Sequence, residues 1–258
     1  MNGFDAERAA QALTGLRDRR ARIEHLDPAP RTEVEGAATQ RARARHLGAD
    51  PPAGFKIGAT ARRMQDYLGL SGPAAGFMAA SGLHASGVTL RYADFTAPGV
   101  ECEVAVRLAR DLPPGPCTPE KAAEAAGVLM AGIEIVENRY GDLGALGTPA
   151  LIADQVFHAA AVLGAGEADW RGLDLVQLAG RVTIDGALRG EGASGDLLGH
   201  PMNCLAWLAS SDVAAAFGGL RAGQVVMLGS VTPPIWVDGP VEVVVAFPPL
   251  AEVRLRFE

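Results

Sequence analysis

From Gly54 onward the chain is cut by glycine and proline into short runs rich in β-branched and aromatic residues. "GFKIGA", "GVTLRY", "ECEVAVRLA", "AGIEIVE", "RVTI", "QVVMLG", "VEVVVAF" and "EVRLRF" each have the texture of a strand. They outnumber the helical stretches between them and crowd the last third of the chain. That order does not fit a doubly wound parallel sheet, which needs strands and helices in strict alternation. It predicts an α+β fold whose core is a largely antiparallel or mixed sheet. Asp-Gly in "TIDGAL" marks a hairpin.

The helices carry their own start signals. "CTPEKAAEAAGVLM" predicts a helix capped by Thr118 with Pro119 at its first position, and "HPMNCLAWLASSDVAAAFGG" one running from Pro201 to Gly218 and Gly219. The first fifty residues read differently from the rest. Ala9, Ala10, Leu13 and Leu16 lie at helical spacing in "DAERAAQALTGLRDRRARIEHL", a stretch stopped by Asp27-Pro28 and Pro30. A second helix is expected from Thr32, with Glu35 completing a capping box, towards His46 and Gly48. The division is therefore a helical N-terminal region over 1–50 and a β-rich catalytic domain over 51–258.

With 258 residues, a net charge of -7 and only 5% aromatic side chains, the chain has neither the charge nor the stacking surfaces for nucleic acid. Cys102, Cys117 and Cys204 are scattered, with no C-x-x-C pair, so neither a zinc ribbon nor a disulfide framework is expected. The first residues lack a signal-peptide core, and no apolar run approaches a membrane span. A cytoplasmic protein with no membrane partner is expected.

Alternate residues of a strand share a face, so Glu101 and Glu103 in "VECEVAV" point the same way. Glu134, between Ile133 and Ile135, has the same setting. Each acid alone is most simply the wet side of a strand. Three in two neighbouring strands raise another reading, because carboxylates gathered on a buried face need a cation. Oxygen-only ligands suit Mg²⁺ or Mn²⁺ rather than zinc. Lys56 in "GFKIGAT" is either a strand-end lysine reaching for solvent or a cation that polarises a substrate oxygen. Asp154 is a polar point in an apolar stretch or an orienting carboxylate. His158 is a satisfied interior histidine or a catalytic group. Ser230 and Thr232 in "LGSVTPP" lie on a strand-end turn, where hydroxyls bond locally or meet a substrate carboxylate. The chain has no G-x-S-x-G elbow, and its histidines show no metal spacing.

In order, "GFKIGAT", "VECEVAVRLARDL", "AGIEIVENRY", "LIADQVFHAAAVLG", "HPMNCLAWLA" and "LRAGQVVMLGSVTPP" resemble the fumarylacetoacetate hydrolase superfamily. Within it they are most similar to the 2-keto-4-pentenoate hydratase and 4-oxalocrotonate decarboxylase branch. The resemblance implies a mixed β-sandwich-like roll with a small helical N-terminal region. It implies Mg²⁺ or Mn²⁺ held by Glu101, Glu103 and Glu134, and a small 2-oxo acid substrate. Lys56, Asp154 and His158 would be its catalytic residues, and Arg139, Ser230 and Thr232 its substrate contacts. A homo-oligomer is implied as well. Two segments depart from the family pattern. Ala80 and Ser81 stand where the hydratases resembled carry a pair of acids, and Asp154-Gln155-Val156-Phe157-His158 replaces "ADN-x-S". Three activities stay open at this point. They are a metal-dependent hydratase of 2-hydroxyalka-2,4-dienoates, a decarboxylase or carbon–carbon hydrolase on the same platform, and a metal-binding partner subunit without turnover.

Overall fold

The structure, a computed structural model, describes residues 3–68 and 70–258. Its elements run in the order α1 (Ala6–Asp18), α2 (Glu33–His46), β1 (Gly54–Gly58), α3 (Arg62–Leu68), β2 (Ala74–Met78), β3 (Leu83–Ala85), β4 (Val88–Leu90) and β5 (Pro98–Leu108). There follow α4 (Pro119–Ala125), β6 (Ala126–Glu137), α5 (Leu143–Ala153), β7 (His158–Leu163), β8 (Ala179–Ile184) and β9 (Ala187–Ala193). The chain closes with α6 (Pro201–Ala209), α7 (Asp212–Ala216), β10 (Val225–Ser230), β11 (Ile235–Trp236), β12 (Glu242–Ala246) and β13 (Val253–Phe257).

The strands form two mixed sheets. The larger has the order β2-β1-β10-β5-β6-β7-β3, with β11 paired to β5; the smaller has the order β4-β13-β12-β8-β9. This is the expected α+β roll. Strands β12 and β13 lie against β6 and β7, and β8 lies against β5. The main core fills the space between. Cys102, Val104 and Val106 of β5 point into it, together with Val243 and Val245 of β12 and Leu255 of β13. The intervening residues of β5 face the other way, where Ala105 joins Met78, Met130 and Met227 in a small separate cluster. Period-two alternation thus assigns Glu101 and Glu103 to the face turned away from the main core.

Several element ends differ from the sequence expectation, each for a local reason. Helix α1 stops at Asp18, well before Asp27-Pro28. Arg20 takes a left-handed φ of 51°, and Ile23 is drawn into a bridge with Tyr140. Helix α4 yields to β6 at Ala126, since the apolar tail of "AEAAGVLM" is spent on the sheet. The helix expected from Pro201 to Gly218 is two helices. At the break Ser210 Oγ donates to the Ala206 carbonyl, while Ser211 Oγ accepts from the Ala214 amide and caps α7. The hairpin at Asp185-Gly186 is present, with both residues at positive φ. Thr32 caps α2 through the Glu35 amide, but the Glu35 carboxylate reaches back to the Arg31 amide rather than to Thr32.

The N-terminal helices share the main core with the β-rich part. Leu13, Ile23 and Ala37 belong to the same apolar cluster as the sheets, and α2 packs on α5 and α7. Among the described residues no helix is long and apolar enough to cross a membrane.

Candidate metal centre and active site

Strands β5 and β6 pair antiparallel with Glu101 directly opposite Glu134 and Glu103 opposite Gly132. The register and the shared face bring one oxygen from each of the three acids within 4.8 Å of the others. Glu103 and Glu134 are wholly buried; Glu101 is partly open and lies on the wall of a cavity of about 510 Å³. Strand β1 lies two strands away, across β10, and sends Lys56 into the same place. Its Nζ stands 3.2 Å from Glu134 Oε1. From β7, His158 Nδ1 meets the same oxygen at 2.9 Å. The Gly229 amide donates to Glu103 Oε2 at 2.9 Å, which ties β10 to the cluster.

The electrostatics follow from burying three acids beside a single ammonium. Burial and the negative charge of Glu134 push the Glu101 carboxyl up to about 8, against the pull of Lys56. Burial, Glu134 and Glu101 together raise Glu103 well above the ordinary carboxylate range. Burial would raise Glu134 too, but Lys56 and the bond from His158 hold it below its ordinary value and ionised. Burial alone would strip the proton from Lys56; the three carboxylates outweigh it and raise its pKa. His158 is lowered, burial outweighing the Glu134 contact, so its ring is neutral.

The cluster is short of positive charge. Glu103 Oε1 and Glu134 Oε2 are buried with no hydrogen-bond partner. An orphaned carboxylate oxygen in a dry site is costly, and two that converge with a third acid form a hard oxygen donor set. These residues fit a divalent cation such as Mg²⁺ or Mn²⁺.

The remaining expected residues fall in other places. Lys56 lines the cavity, but Asp154 does not. It is fully buried, with Arg17 Nε on one oxygen at 3.1 Å and both Arg139 and the Tyr140 hydroxyl on the other. A carboxylate so saturated orients its neighbours and has no free lone pair aimed at a substrate. Arg139 is likewise not on the cavity wall: it is buried against Asp154, with Glu137 at 3.9 Å and its Nη1 without a partner. Ser230 Oγ donates to the Thr232 carbonyl at 2.7 Å and accepts from the Thr232 amide, the local closure typical of a turn. Neither hydroxyl is on the cavity wall. His158 touches Glu134 from behind and is likewise off the wall. Ala80 and Ser81 form an exposed turn, and His84 sits on β3 beside Val162 of β7.

Sequence reasoning missed Asn138, Tyr140, Phe157 and Trp236, all of which line the cavity. For Asn138 the signal was available, because it continues the parity of Glu134 and Val136 along β6. Phe157 and Trp236 carry no such signal. Phe157 is placed by an irregular turn in which Gln155, Val156 and Phe157 all have φ between 53° and 65°. Trp236 is placed by β11, a two-residue strand paired to Gly99 and Val100.

Residues 56–256 match the family model described as "Fumarylacetoacetate (FAA) hydrolase C-terminal". A 2-keto-4-pentenoate hydratase from Burkholderia vietnamiensis (strain G4 / LMG 22486) is 32% identical over 182 residues, covering 70% of this chain and 69% of that protein. A 2-hydroxyhexa-2,4-dienoate hydratase from Comamonas testosteroni is 31% identical over 161 residues, 61% of this chain and 60% of its own. Among solved structures, the 4-oxalocrotonate decarboxylase from Pseudomonas putida G7, complexed with magnesium and adipate, superposes with a TM-score of 0.87. It does so at 20% identity, over 100% of both chains.

Proposed function

The chain belongs to the fumarylacetoacetate hydrolase family, and from that premise we propose that it is a divalent-metal-dependent lyase that hydrates a 2-hydroxyalka-2,4-dienoate. The observation that carries this reading is the buried trio Glu101, Glu103 and Glu134, with Lys56 beside it at the wall of the cavity. Those three carboxylates would hold Mg²⁺ or Mn²⁺. When bound, the ion supplies Lewis acidity for the carboxylate and 2-oxygen of a 2-oxo acid.

The chain's own groups do the rest. Lys56, held cationic by three acids, stands where negative charge gathers on the 2-oxygen and offers it a proton or a counter-charge. Glu134 keeps that ammonium in place and is itself steadied by His158. Asp154, Arg17 and Arg139 act as positioning residues, since they fix the turn that carries Val156 and Phe157 into the cavity. With the dienol protonated at its far end, water adds across the double bond of the conjugated ketone. Its hydroxyl goes to the carbon remote from the carbonyl and its proton to the adjacent carbon.

Decarboxylation of a related 2-oxo acid is the second reading, supported by the likeness in fold to a 4-oxalocrotonate decarboxylase over the full length of both chains. Loss of CO₂ needs the same stabilised enolate but no group to activate water. Like the relatives' substrates, the ligand would be a small 2-oxo acid met in the cytoplasm, and the chain would act as a homo-oligomer. Purified protein loaded with Mg²⁺ is offered 2-hydroxypenta-2,4-dienoate and an oxalocrotonate-type acid, and dienol absorbance and CO₂ are followed. Hydration predicts loss of absorbance without CO₂. Release of CO₂ alone transfers the assignment to the second reading, and silence from both, with metal bound, ends it.

A further inference from the structure

The cavity beyond Glu101 and Lys56 is built for something other than a second acid. Most of the other side chains that line it are apolar, Val136, Leu143, Phe157, Pro234 and Trp236 among them. At about 510 Å³ it sits inside the range of roughly 300–1,000 Å³ usual for clefts that enclose larger organic ligands. A five-carbon acid would leave much of it to water.

Most polar groups near that wall are engaged elsewhere, and Asn138 is the neutral polar side chain on it. The Tyr140 hydroxyl donates to Asp154, so only its ring meets the cavity, in edge contact with Phe157 at 4.8 Å. Arg17 and Arg139 pair with Asp154 and Arg43 pairs with Gln155; Arg139 Nη1 and Arg43 Nε are left without a partner, but none of the three arginines lines the cavity. Among the described residues that line the cavity, Lys56 is the cation, and it belongs to the acid cluster. Among the described residues, a carboxylate carried into this wall would lose its water with no positive partner, which is strongly unfavourable.

Trp236 is the second clue. It lines the cavity and is 49% exposed, one of few large apolar residues left to solvent among those described. The ring is nonetheless seated. It lies over Gly99, where a Cβ would come within 2.7 Å of Trp236 Cε3, and Gly99 is two residues from Glu101 on β5. An indole held open above an apolar cleft gains by covering an apolar ligand.

We infer that the substrate bears an extended apolar group, alkyl or aryl, on the end remote from its 2-oxo acid, and that Phe157 and Trp236 close on that group. This rests on the 2-oxo acid reading above. The test uses Mg²⁺-loaded wild-type protein and a series of 2-hydroxydienoates ending in hydrogen, methyl, propyl, phenyl or a carboxylate. Binding of pyruvate, 2-oxohexanoate, 2-oxooctanoate and 2-oxoadipate is measured in parallel by calorimetry and indole fluorescence. The expected result is a rise in kcat/KM of roughly three- to fivefold per buried methylene. The ω-carboxylate should fall at least tenfold below the alkyl compound of equal length. Fluorescence changes on binding 2-oxooctanoate should be lost in Trp236→Phe, while Trp236→Ala and Phe157→Ser should compress the ratio between long and short ligands. A flat length series, or preference for the dicarboxylate, overturns the inference and leaves the 2-oxo acid reading standing. If no 2-oxo acid of any length binds while Mn²⁺ does, both fall together.

Discussion

Glu134 Oε1 receives Lys56 and His158 while Oε2 has no partner, so one carboxylate joins the cationic side of the site to its unpartnered oxygens. Glu134→Gln keeps the shape and removes the charge. It should weaken Mn²⁺ binding at least tenfold by calorimetry, since hard cations depend on carboxylate charge. Lys56→Met should behave in the opposite manner towards metal. Removing an ammonium 3.2 Å from the Glu134 carboxylate would relieve repulsion of a cation held there, so Mn²⁺ affinity should hold or rise. Turnover should nevertheless fall by about 10²–10⁴, the usual worth of a positioned proton donor. Asp154 makes a different prediction. Burial alone would raise its pKa, but Arg17, Arg139 and Arg43 hold it below the ordinary aspartate value. Its contribution to stability is complete above the unfolded aspartate pKa and is lost as pH falls through that value towards the folded one. Asp154→Asn should cost about 3–5 kcal/mol at pH 7 in urea unfolding and flatten the acid limb of the stability curve.

The turn between α5 and β7 is the element on which the cavity depends. Three successive non-glycine residues in the left-handed region cost on the order of 1–3 kcal/mol each and persist only when the surroundings over-determine them. The surroundings here are the N-terminal helices and β2. Arg17 of α1 donates to the Asp154 carbonyl at 2.9 Å and the His158 carbonyl at 3.1 Å, gripping the turn at both ends. Arg43 of α2 bonds the Gln155 side chain, whose amide donates in turn to the Phe77 carbonyl at 2.7 Å. Gly76 of β2 lets the turn approach, because a Cβ there would stand 2.5 Å from the Gln155 carbonyl oxygen. Gly76→Ala should therefore destabilise by roughly 1–3 kcal/mol, as overpacking does. It should also raise KM through displacement of Val156 and Phe157, which thermal unfolding and steady-state kinetics would separate.

At the scale of the whole molecule, the acid cluster should make a bound divalent cation a folding ligand. In the metal-free protein the folded-state pKa of Glu101 is about 8, far above its unfolded value, and that of Glu103 is raised as well. Between those limits the folded state binds more protons than the unfolded state. Metal-free protein should thus lose stability as pH climbs from about 5 to about 8, the reverse of a protein held by ordinary salt bridges. Mg²⁺ at a hundredfold its Kd should add about 2.7 kcal/mol and flatten that slope. Thermal denaturation across the range, with and without EDTA, would show it.

Much of the architecture was legible in residues alone. The strand-like runs, the Asp-Gly hairpin and the parity of Glu101, Glu103 and Glu134 are short-range features, set by alternation and turn chemistry within a few residues of chain. They determined the α+β class, the shared face of the acids and the hard-cation chemistry. Where helices end was less legible, since "AEAAGVLM" and "LASSDV" suit either a longer helix or a break until the sheet claims the apolar residues. The reach of each side chain was not legible at all. Asp154 and Arg139 look available in sequence, yet they pair with one another and neither lines the cavity. Ser230 and Thr232 close on themselves, while Phe157 and Trp236, silent in sequence, form the cavity. Those outcomes depend on pairings between residues far apart in the chain, and on a strained turn held by two helices that precede it by more than a hundred residues. Only the tertiary structure brings such partners together, and so it alone decided which polar groups are spent on the fold and which remain for a ligand.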